Sequence, residues 1–200
     1  MLIYFLKLQN IITQMINKIN NSKFSQEYFD TIQLYKKLHV EGTKKLSPEQ
    51  TFAGYSLIPW GLKIKQIIEL TKSNSITDFG CGKALGHIQK IKINETIYQY
   101  FADYWNIEFV QLYDPGIKEF DNFPTEKTDG TICTDVIEHI PNNDIQLFIE
   151  QLYSLTNKFL FVVIATIPAT KFFQDGRNIH LTVKKEEEWN SIFKTFETKY

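Results

Sequence analysis

The stretch Ser75 to Gly86, reading Ser-Ile-Thr-Asp-Phe-Gly-Cys-Gly-Lys-Ala-Leu-Gly, constrains this chain more than any other. A short apolar run ends in an acid and then breaks into closely spaced glycines, the pattern of a strand running into a ligand loop that opens a helix. Gly80 and Gly82 lack a Cβ, so the backbone there can turn sharply and approach a ligand closely. Asp78 at the strand tip is placed to accept hydrogen bonds from that ligand. A loop of this kind needs a sheet behind it.

The rest of the chain supplies one. Residues 24–40 carry apolar side chains at helical spacing, with Gly42 as the stop, and residues 62–71 form a second helix feeding the strand at 76–79. Between them, residues 51–60 read as an ordered loop lying over the ligand. The glycine loop should cap a helix over 85–92. The aromatic-rich stretch 98–105 reads as an insertion, because the next strand, 108–114, ends in Asp114, farther along than the ~20 residues of a compact nucleotide-binding unit. Asp114 is followed at once by Pro115 and Gly116, and an acid at such a strand end can accept both hydroxyls of a ribose. A third strand, 131–134, emerges at Asp135. The continuous apolar run 158–166 suits a central strand covered on both faces, and a helix is expected at 185–196. Alternating helices and strands imply an α/β fold, a Rossmann-like, doubly wound and mostly parallel sheet. Too few residues separate Asp114 from the third strand for a full helix, strand and two turns, so one edge of the sheet is reduced, and little chain remains after 196 for terminal strands. The expected division is a helical extension over 1–56 and a ligand-binding domain over 57–200.

Composition narrows the classes. With 200 residues, 43% hydrophobic, and a net charge of −1, the chain suits one globular domain. Cys81 and Cys133, the only cysteines, are too few for a disulfide framework and fit a reducing cytoplasm. Arg177 is the only arginine and lysines are scattered among as many acids, so nucleic acid is not favoured as a partner. Residues 1–20 fall short of a transmembrane span and have no secretory cleavage pattern. Their apolar positions recur at helical spacing, giving an amphipathic helix that either packs on the domain or binds a membrane surface or partner helix.

The order of acid and glycines departs from a dinucleotide fingerprint, in which the acid does not come first and the third glycine falls one place earlier than Gly86. Asp78-Phe79-Gly80-Cys81-Gly82 instead resembles the first motif of the class I S-adenosylmethionine-dependent methyltransferases, with Ala84 where a further glycine is common. A left-handed backbone at Ala84 would be strained. Thr134-Asp135-Val136-Ile137-Glu138-His139 resembles the fourth-strand motif of the same family. The resemblance implies an S-adenosylmethionine site formed by Asp78, Gly80, Cys81, Gly82, Asp114, Pro115, Asp135 and Val136. It also implies O-methylation of a small-molecule or sugar-like acceptor.

In-line methyl transfer asks a protein to align the acceptor and remove its proton, and His139 and His180 are the candidate bases. His39 and His87 are expected to pack or cap. Asp135, Glu138, His139 and His180 also make a donor set for Mg²⁺ or Mn²⁺. In this they resemble the ubiquinone-pathway O-methyltransferases and the small-RNA 3′-terminal 2′-O-methyltransferases. The same residues fit a plainer role, with Glu138 and His139 closing the cofactor pocket and His180 capping a turn. Metal-dependent methylation of RNA, or a non-catalytic nucleotide-binding protein of this fold, are the rival functions.

Overall fold

A computed structural model of the chain describes residues 23–43 and 46–197. The amphipathic helix expected within 1–20 lies outside the described residues. Helix α1 (Gln26–Glu41) leads through residues 46–57 and a 3₁₀ turn (Ile58–Trp60) into α2 (Gly61–Thr71) and β1 (Ser75–Phe79). A one-turn helix α3 (Leu85–Ile88), the hairpin β2 (Ile91–Ile93) and β3 (Thr96–Tyr98), and α4 (Phe101–Trp105) follow. Then come β4 (Phe109–Tyr113), β5 (Thr128–Thr134), α5 (Ile145–Ser154), β6 (Thr156–Val163) and α6 (Glu186–Glu197).

The main sheet has the order β4-β1-β5-β6, and every neighbouring pair is parallel. The chain leaves β1 for β4 on one side and returns to β5 on the other, so the strand order reverses between β1 and β5. In open parallel sheets ligands settle in the crevice at the carboxyl ends of such a reversal. Side chains alternate between two cores. Phe79 and Cys133 join a cluster with Tyr28 of α1, Phe148 of α5 and Trp189 of α6. Ile76 and Ile132 face the opposite cluster, with Ile64 of α2 and the stacked pair Phe101 and Trp105 of α4. Helices therefore cover both faces, as a doubly wound sheet requires.

Helix α1 is tied to this body at its start. The Ser25 hydroxyl accepts from the Tyr28 N–H at 3.2 Å as N-cap, while its own N–H and O–H donate to the Asp144 carboxylate at 2.8 and 2.6 Å. Asp144 is buried at the start of α5, so one carboxylate joins the two helices.

Three expectations need correction. The helix after the glycine loop is one turn, because Ile91 and Ile93 are drawn into the hairpin that carries the chain to the aromatic cluster. The aromatic stretch splits into the end of that hairpin and α4. Strand β6 is covered on both faces, with Phe161 against one core and Val162 against the other, but it sits at the edge of the sheet. After Val163 the described chain runs without a named element to α6, so no strand pairs beyond it among the described residues.

Candidate cofactor and cation site

The glycine loop holds a run of left-handed backbone. Gly80 has φ +89° and Gly82 φ +55°, conformations an L side chain rarely takes. A Cβ at Gly80 would come within 2.3 Å of Val136 Cγ2, and one at Gly82 within 2.4 Å of the Phe52 carbonyl oxygen. The close approaches that glycine permits here are thus made by the protein's own atoms. Ala84 also takes the left-handed form, φ 52° and ψ 29°, the strained geometry foreseen for it. The segment around Phe52 is stitched to the loop by Lys83 N–H to the Phe52 carbonyl at 2.9 Å and Leu85 N–H to the Ala53 carbonyl at 3.1 Å. Lys83 Nζ adds bonds to the carbonyls of Pro48 and Thr51 at 2.6 and 2.9 Å.

Asp78 does not face the crevice. Its Oδ2 lies 2.9 Å from His87 Nε2, and the two side chains are only 4% and 3% exposed. The reason is the two-residue period of a strand: Asp78 shares a face with Ile76, beneath the aromatic cluster where His87 packs near Phe101 and Trp105. The direct ligand contact expected of Asp78 is replaced by this internal pair.

Asp114 meets the expectation for a strand-end acid more closely. Oδ2 accepts the Gly82 N–H at 2.8 Å and Oδ1 the Gly116 N–H at 2.7 Å, so both oxygens are aimed while each keeps a lone pair. Burial pushes its carboxyl up to about 6, against the lowering effect of those two N–H groups.

At the tip of β5, Asp135 takes φ 56°, unusual for a residue with a side chain, and is exposed. A 3₁₀ turn (Ile137–His139) then buries Glu138. Glu138 Oε1 accepts the Ala165 N–H at 3.1 Å, while Oε2 is buried without a hydrogen-bond partner among the described residues. Burial pushes its carboxyl up to about 7. Ligand atoms of Glu138, His139 and His180 all lie within 4.8 Å of one another. Asp135 stands outside that group, because its left-handed backbone precedes the turn that gathers the other two.

Each histidine is tied through Nδ1. His180 Nδ1 lies 2.7 Å from the Ile167 carbonyl oxygen and His139 Nδ1 2.9 Å from that of Ile179. An imidazole that gives its Nδ1 proton to a carbonyl keeps a lone pair on Nε2, the form that binds metals. Burial lowers the His139 pKa to about 4, so at neutral pH it is uncharged and a weak proton acceptor on its own. A buried carboxylate oxygen without a partner, beside two imidazoles, fits a divalent cation by the chemistry of its donors.

Two cavities meet here. A small one of ≈ 110 Å³ lies under α1, between Tyr28, Tyr35 and His39 above and Asp114, Pro115 and Val136 below. An open cleft of ≈ 570 Å³ runs past Cys81, Thr134, Lys171 and His180. Gly80, Gly82, Asp135 and His139 line both. Of the residues the sequence nominated for a cofactor, only Asp78 borders neither. The loop expected over the ligand supplies Phe52, while sequence reasoning missed Tyr35 and Lys171 as lining residues and assigned His39 to packing or capping. None of them belongs to a motif, and the helical spacing of α1 announced only a buried face.

No family model matches the chain, and no curated protein does. Two solved structures resemble it. One is described as a DhpI–SAH complex, 14% identical with a TM-score of 0.48, the match covering 86% of this chain and 88% of the other. The other is a DhpI–SAM–HEP complex, 14% identical with a TM-score of 0.46, covering 88% and 91%. Likeness at that level decides nothing about this chain's chemistry, which rests on its own geometry. No helix among the described residues is long and apolar enough to cross a membrane.

Proposed function

We propose that this chain is an S-adenosylmethionine-dependent methyltransferase that methylates a hydroxyl oxygen of a small acceptor, with a divalent cation held by Glu138, His139 and His180. One observation carries the reading. Asp114, both oxygens aimed by backbone N–H groups, lines a small cavity that meets, over Gly80, Gly82 and Asp135, the cleft lined by His139 and His180, with Glu138 buried beside them. A nucleoside end and a reactive end are thereby set in line.

In this arrangement Asp114 accepts hydrogen bonds from the two ribose hydroxyls, and Tyr28, Val136 and the other walls of the small cavity supply an apolar surface for the base. Bound across the strand tips, S-adenosylmethionine supplies a methyl group already activated by its sulfonium. The cleft orients the acceptor oxygen for in-line attack; without a cation the free Nε2 of His139 or His180 would take its proton, and with both Nε2 atoms held by a cation the proton would pass to water in the open cleft. The cation, where bound, lowers the pKa of the acceptor hydroxyl, a task for which neutral His139 alone is too weak a base. Lys171 is the single lysine or arginine lining either cavity among the described residues, which supports a small acceptor over a polyanion.

Calorimetric titration with S-adenosylmethionine, S-adenosylhomocysteine and NAD tests the cofactor, and turnover on hydroxylated metabolites against an RNA oligonucleotide, with and without chelator, tests the acceptor. Binding of the sulfonium pair and chelator-sensitive methylation of a metabolite are expected. Preference for NAD, or methylation of RNA alone, contradicts the reading.

A further inference from the structure

Tyr35 belongs to none of the strand-end motifs. It comes from α1, the helix that roofs the smaller cavity. Its hydroxyl donates to the Ile179 carbonyl at 2.8 Å and stands 2.6 Å from His139 Nδ1, which is itself 2.9 Å from that same carbonyl oxygen. The rings of Tyr35 and His139 also meet edge to face, with centroids 5.3 Å apart at 77°.

This triangle settles where the imidazole proton sits. If Tyr35 gave its single proton to Nδ1, that nitrogen would be a bare lone pair facing the Ile179 oxygen, acceptor against acceptor. With the proton on Nδ1 every contact is attractive. Tyr35 donates to the carbonyl, and Nδ1–H is shared between the carbonyl oxygen and the Tyr35 oxygen. The Nε2 lone pair is then the ligand-capable one.

We propose that Tyr35 is a positioning residue that locks the His139 ring with Nδ1 protonated, presenting Nε2 as a donor in the Glu138–His139–His180 group. The inference rests on the cation site proposed above. It assigns to α1 a second task beside roofing the cavity, since the one helix carries both the wall and the hydroxyl. Outer partners of this kind are worth roughly 10- to 100-fold in metal affinity.

Imidazole ¹⁵N NMR on the metal-free full chain at pH 8 reads the ring directly. A His139 protonated at Nδ1, with slow exchange of that proton, is expected; a ring protonated at Nε2 overturns the proposal, whether or not any variant folds. In Tyr35→Phe, Mn²⁺ affinity should fall roughly 10- to 100-fold and Nδ1–H exchange quicken, with the thermal midpoint near wild type. Wild-type Mn²⁺ affinity and exchange in that variant overturn it. A wild-type chain that binds no Mn²⁺ ends the cation reading instead, and the NMR comparison then decides the role of Tyr35 by itself.

Discussion

Two acids stand on adjacent parallel strands, and their environments give them different work. Asp78 is spent on His87, whereas Asp114 is aimed by two N–H groups and borders a cavity. Hydrogen bonds to a charged group are worth ~1.5–3 kcal/mol, so Asp114→Ala should weaken S-adenosylhomocysteine binding by roughly 10- to 100-fold. Asp78→Asn should cost stability more than affinity, and calorimetry beside urea unfolding separates the two. Protonation adds a second signature. The folded pKa of Asp114, about 6, lies above its ordinary 3.8, so its contribution to stability is present below 3.8 and is lost as pH rises through about 6. Ligand affinity moves the opposite way, because only the carboxylate accepts both hydroxyls. Affinity measured by titration should therefore decline as pH falls below about 6, and Asp114→Asn should flatten that decline.

At the scale of elements, the glycine loop and the tip of β5 are one packing unit. Gly80→Ala brings both left-handed strain and a collision with Val136, together about 2–4 kcal/mol. Adding Val136→Ala removes the collision and not the strain, so urea unfolding of the double variant should recover part of the loss, while simple additivity would show the contact to be absent. Helix α1 depends on its staple to α5. Ser25→Ala deletes the N-cap and one bond to Asp144, and an unfolding free energy lower by about 1–2 kcal/mol is expected. The strand β1, the glycine turn and α1 were legible because period and punctuation act locally there. The one-turn α3 was not, since its continuation is captured by a hairpin whose partner strand, Thr96–Tyr98, gives a signal too short to recognise. The place of β6 at the edge was equally hidden: an apolar run reports that both faces are covered and says nothing of who pairs alongside.

On the scale of the whole molecule, a four-stranded parallel sheet with helices on both faces gathers its chemistry at one end of the reversal between β1 and β5. Asp114, the glycines and the Glu138–His139 turn were readable as strand-end motifs, and His180 as a distant partner. Tyr35 and Lys171 were not, because what brings them in is the fold of α1 and of the long segment after β6 over the strand ends. The central claim is that a sulfonium nucleoside lies across these strand tips with its sugar on Asp114. A crystal structure with S-adenosylhomocysteine tests it most directly. The account predicts both ribose hydroxyls on the Asp114 carboxylate and the sulfur facing the cleft of His139 and His180. A ligand bound elsewhere, or a cavity beside Asp114 that stays empty at saturating ligand, would contradict it.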